Sequence, residues 1–138
     1  NRSRPFPGGA LDTLSRLLAP VFVLVVFYLL WVGAHAPGGA FQAGSVLAAA
    51  AVLLLLAGLQ ARVSLPPLAL RLILVAGPAA FLAMGVMLLL IEGRLLQFPP
   101  QHAARLILIL ESVATLSIGA TLVALFLGGR PTHAQESR

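Results

Sequence analysis

Four long stretches of this chain are almost free of charge, and each is about as long as a bilayer is thick. They run from about Leu17 to Ala34, Ala40 to Leu59, Leu72 to Ile91 and Leu106 to Leu127. A helix needs roughly 20 apolar residues to cross the hydrocarbon core. Backbone N–H and C=O groups find no water there, so each stretch must satisfy them internally, as a helix. Glu111 is the one charge inside any of them. Composition agrees. Only 9% of residues are charged and 59% are hydrophobic, where a soluble domain carries about 25% charge. That excludes a water-soluble enzyme or nucleic-acid module, and so much apolar surface excludes disorder. The pattern predicts an all-α integral membrane protein, one membrane domain over 1–138 with four transmembrane helices.

The connections are short: His35 to Gly39, then Gln60 to Pro67 with Pro66 and Pro67 as a stop, then Glu92 to Ala104 around Pro99 and Pro100. Short connections favour antiparallel neighbours, hence a compact antiparallel bundle with polar tails at 1–9 and 128–138. The pI of about 11.7 is not a nucleic-acid signal. The basic residues are all Arg and sit singly at the edges of apolar runs, a membrane-flank pattern. Seven lie on one side (Arg2, Arg4, Arg16, Arg62, Arg71, Arg130, Arg138) and two on the other (Arg94, Arg105). The positive-inside rule then puts both termini in the cytoplasm. The expected surroundings are a lipid bilayer and no nucleic acid.

Catalytic chemistry has little material. Cysteine is absent, which excludes disulfides, thiolate metal sites and Cys nucleophiles. The sequence contains no phosphate-binding loop, no metal-ligand cluster and no nucleophile–base pair, so neither a cofactor nor independent catalysis is expected. Small residues are dense in all four runs, including Gly33, Gly44, Gly77, Gly85 and Gly119, and small residues let membrane helices approach closely. Pro20 and Pro78 lie within runs, where each frees a carbonyl and can kink its helix.

The most informative stretch joins the first two runs: Gly33-Ala34-His35-Ala36-Pro37-Gly38-Gly39-Ala40-Phe41-Gln42-Ala43-Gly44, with Pro20 upstream. Physically it is a Pro-Gly-Gly turn with an aromatic anchor opening the next helix. It resembles the signature of the B subunit (MnhB type) of Mrp multisubunit Na⁺/H⁺ antiporters, which related subunits of membrane-bound hydrogenases share. The resemblance rests on Pro20, Gly33, His35, Pro37, Gly38, Gly39, Phe41, Gln42 and Gly44. It departs at Ala34, inserted between the usual Gly-His pair, and at Ala40 and Ala43, where glycine is usual. It implies an accessory membrane subunit of a complex I-related hetero-oligomer in the cell's inner membrane. Such a subunit is needed for assembly, and protons and monovalent cations pass through the whole complex. Pro20, Gly33, Pro37, Gly38, Gly39, Phe41, Gln42 and Gly44 would then shape a turn and a subunit contact. A membrane arm of a redox-driven pump, or a purely structural helical spacer, would look the same.

Glu111 is the sharpest single residue. It lies about six residues into the fourth run, roughly 9 Å along a helix. An ionisable group at that depth is costly and by default marks a function. Glu111, His35 and Thr115 are the candidate proton or cation path. Glu111 and Thr115 share one stripe of the helix, while Ser117 and Thr121 lie on another. The alternative is structural: Glu111 pairs with Arg105 or with an Arg of a neighbouring chain, the hydroxyls bond back to helix carbonyls, and His35 caps the first helix.

Overall fold

A computed structural model describes residues 9–33, 35, 39–58 and 66–128. Apolar side chains without β-sheet alternation leave these segments one way to satisfy their backbone, and four helices form: α1 (Ala10–Gly33), α2 (Ala40–Leu56), α3 (Pro67–Glu92) and α4 (Ala103–Gly128). α1, α3 and α4 are long and apolar enough to cross a membrane. α2 has 17 residues, a length of about 25 Å.

The helix ends follow local chemistry. α1 starts at Ala10, ahead of the apolar run, across an exposed turn where Arg16 Nε meets Asp12 Oδ1 at 3.1 Å. Pro67 opens α3, since the first helical position needs no N–H partner. Gly93, at φ 70, closes it and donates its N–H to the Leu89 carbonyl at 3.1 Å, a left-handed cap that suits glycine.

The helices pack as an open row rather than a closed ring. α1 lies on α2, α2 on α4 and α4 on α3, with a lighter contact between α1 and α4. Among the described residues the α3 backbone comes close to neither α1 nor α2. One neighbour pair expected from the short connections is missing: α2 packs on α4, not on α3. α1–α2 and α3–α4 are antiparallel hairpins, but the α2–α4 seam is parallel. Gly39 lies by Glu111, Gly44 by Thr115 and Ile118, and Leu47 by Gly119, so both helices advance together. The connection from α2 to α3 therefore joins sequence neighbours that are not neighbours in space. Much of the apolar surface faces outward: Leu24, Phe27, Trp31, Leu82 and Leu90 are 66–79% exposed. Such surface belongs against lipid or other membrane helices.

One lock holds α3 to α4. Pro78 lacks an N–H, so the Leu74 carbonyl loses its helical partner. Ser117 of α4 supplies the replacement, its Oγ donating to the Leu74 carbonyl at 2.7 Å. Gly77 permits the approach: a Cβ there would meet Ser117 Cβ at 2.8 Å. We expect Ser117→Ala to cost about 1–3 kcal/mol, because it leaves a buried carbonyl unpaired. In a Pro78→Ala background, where the helix N–H is restored, the cost should fall by roughly half or more. Denaturing-detergent titration of the four proteins in this double-mutant cycle measures the coupling. An undiminished cost would show that Ser117 stabilises by some other contact.

Candidate functional site

The glycines of the α1–α2 hairpin and the carboxyl of α4 form one site. Gly39 takes φ 110 and ψ −163, a backbone shape open only to glycine. Its carbonyl accepts the Ala43 N–H at 3.0 Å and starts α2. Gly33, the last residue of α1, has no side chain between it and Gly39. A Cβ at Gly33 would stand 2.7 Å from Gly39 Cα and 2.9 Å from Glu111 Oε2. A Cβ at Gly39 would stand 3.0 Å from Glu111 Oε1. The carboxyl of Glu111 thus occupies the space that two absent side chains leave. Its Oε2 is buried and has no hydrogen-bond partner among the described residues. The alternative pair with Arg105 does not form; the one ion pair among the described residues joins Arg16 and Asp12. Glu92 and Arg94 make no pair either.

A cavity of about 330 Å³ reaches Glu111 from the other side. Phe81, Leu96, Phe98, Ile107 and Leu110 line it, and among the described residues Glu111 is its only polar side chain. Leu96 holds φ 57, the left-handed region that ordinary residues avoid.

The other expected site residues divide. Thr115 is 1% exposed and its Oγ1 donates to the Ala40 carbonyl at 3.4 Å, inside the α2–α4 seam. Gly44 sits in the same seam. Phe41 and Gln42 are exposed, and Phe41 lines a second groove of about 510 Å³ between α2 and α3. Pro20 is exposed on α1, about 20 Å along the helix from Gly33. Pro37 and Gly38 lie outside the described residues. The His35 N–H donates to the Val32 carbonyl at 2.9 Å, closing α1. His35 lines a separate small notch of about 180 Å³ with Trp31 and Arg105, and no hydrogen bond joins it to Glu111 among the described residues. The hydroxyls of Ser112 and Thr121 bond back four residues, to the Leu108 and Ser117 carbonyls. Ser117, by contrast, bonds across to α3.

Residues 10–132 match a family model described as "Domain related to MnhB subunit of Na+/H+ antiporter". The chain belongs to the MnhB family. It is therefore a membrane protein of the antiporter-subunit type, a transporter component rather than an enzyme, and the family places it within a multisubunit complex. No curated protein and no solved structure matches it. Gly33 and Gly39, two of the positions on which the sequence resemblance rests, form the seat of Glu111.

Proposed function

We propose that this chain is an accessory subunit of a cation/proton antiporter in the inner membrane, that it crosses the bilayer four times with both termini cytoplasmic, and that Glu111 takes part in proton transfer. The observation that carries the last point is the seat itself. A carboxyl two turns inside a membrane helix rests on glycine backbone, without a partner among the described residues, and lines an open cavity. An intramembrane ionisable group facing a cavity is the pattern of ion pathways. The fourth crossing is supported by the α2–α4 seam. α2 runs beside α4 in the same direction, from the Glu111 level past Gly119, and so shares its depth. An even number of crossings returns the chain to its starting side, which agrees with the Arg asymmetry.

The test is transport by the assembled complex in vesicles. Glu111→Gln keeps size and hydrogen bonding but cannot ionise. It should slow antiport by roughly a hundredfold if the carboxyl carries the proton. Glu111→Asp should remain within about tenfold of the native rate. Unchanged antiport in a normally assembled Glu111→Gln complex would remove Glu111 from the path.

A further inference from the structure

The cavity at Glu111 and the groove between α2 and α3 are parts of one feature. Phe81 and Ala114 line both. The groove exists because α2 and α3 each pack on α4 but not on one another. Its walls are Phe41 on α2, and Leu74, Pro78 and Phe81 on α3; its floor is α4, at Ala114 and Ile118. The cleft is therefore a largely apolar trough, with the hydroxyl residues Ser117 and Thr121 along it and, among the described residues, a single carboxyl at one end.

We infer that this cleft receives a membrane helix of a partner subunit, and that this helix directs a Lys or Arg side chain into the cavity to meet Glu111. Charge complementarity selects the occupant. The cavity's apolar walls suit the alkyl stem of a long basic side chain, which buries its methylenes while its charged head seeks a polar partner. The volume of about 330 Å³ equals about ten water-sized groups, enough for such a side chain. An inorganic cation is poorly served, because hard cations take several oxygen ligands and, among the described residues, Glu111 is the only polar side chain lining the cavity. A lipid tail or an apolar helix would fill the trough but leave the carboxyl unmatched. Among the described residues this chain brings no cation of its own to Glu111. The inference rests on the chain's place in a multisubunit assembly, and it stands whether or not Glu111 carries protons.

The experiment is photo-crosslinking in the assembled complex, with benzoylphenylalanine placed at Leu110 and, separately, at Ile107. The expected product links this chain to a helix of another subunit, within one turn of a Lys or Arg. A crosslink to lipid, to a second copy of this chain, or to a segment without a basic residue would overturn the inference. Replacing that Lys or Arg by Gln should then lower recovery of the complex about tenfold, as a broken buried pair does, and adding Glu111→Gln should cause no further loss. Independent, additive losses would also overturn it. Should either probe prevent assembly, Leu110→Cys carries the chain's only thiol. Its reaction with N-ethylmaleimide should be about tenfold slower in the complex than in the full chain freed of its partners, a ratio set by how fully the cleft is occupied; equal rates would refute occupation. These readouts measure contact and assembly, whereas the Glu111→Gln transport assay measures proton transfer, so either reading can fail without the other.

Discussion

Replacing Gly33 by alanine is expected to open the hairpin at its base and to destabilise the chain by about 3 kcal/mol, the upper end of what overpacking costs. The new Cβ would lie 2.7 Å from Gly39 Cα and 2.9 Å from Gly39 N. Both are backbone atoms, so no rotamer change can absorb the contact. Gly39 cannot swing away freely, because its carbonyl holds the Ala43 N–H at the start of α2. The same Cβ meets Glu111 Oε2 at 2.9 Å, so relief by separating α1 from α2 also disturbs the carboxyl seat. Gly33→Val should prevent recovery of a folded chain. Gly128→Ala is the control, since a Cβ there meets nothing within 4 Å, and a change of no more than about 0.5 kcal/mol is expected. Denaturing-detergent titration followed by circular dichroism measures all three. A Gly33→Ala midpoint equal to that of Gly128→Ala would show that the hairpin is not closed at this point.

The second large effect is expected at the parallel seam, where two glycines should behave differently. A Cβ at Gly44 would press on Ile118 Cγ2 at 2.8 Å, Ile118 Cβ at 2.9 Å and the Thr115 carbonyl at 3.1 Å. Ile118 is β-branched and stiff in a helix, and a carbonyl cannot move without its helix. Gly44→Ala should therefore cost about 2 kcal/mol, and Gly44→Leu should part α2 from α4. At Gly119 the nearest atom is Leu47 Cδ2 at 3.2 Å, the free end of a flexible side chain. Gly119→Ala should cost less than about 1 kcal/mol. The same titration ranks them. Equal costs would mean that the seam yields as a unit.

These predictions separate what the sequence could reveal from what it could not. The hairpin was legible because its signals are local: a run of glycine and proline between two apolar stretches. Helix positions were legible from length and hydropathy, although charge counting began α1 and α3 too late. Arg16 and Arg71 interrupt the apolar pattern but not the helices, since a charged side chain near a helix end can extend toward water. The row order was not legible. Short connections point to antiparallel neighbours, and nothing local says that α2 and α4, separated by the whole of α3, form a parallel seam. The meeting of Glu111 with Gly33 and Gly39 was hidden for the same reason. Both halves were singled out, but joining them requires knowing which face of α4 meets the hairpin. The bond from Ser117 to the Leu74 carbonyl that Pro78 frees had a readable half, because any proline inside a helix leaves a carbonyl to be satisfied. Which hydroxyl answers it depends on packing.

The row order also sets the sequence of events during synthesis. The α1–α2 hairpin can close as soon as it enters the bilayer. α3 follows with no helix yet made to hold it among the described residues, because α4, which it packs on, has yet to be made. α4 then has to pass between two elements already in place and fit both, through Gly44 on one side and Gly77 on the other. α4, made after the other three, is the keystone, and a chain halted before Ala103 would leave a hairpin and an unattached helix rather than three-quarters of this four-helix unit.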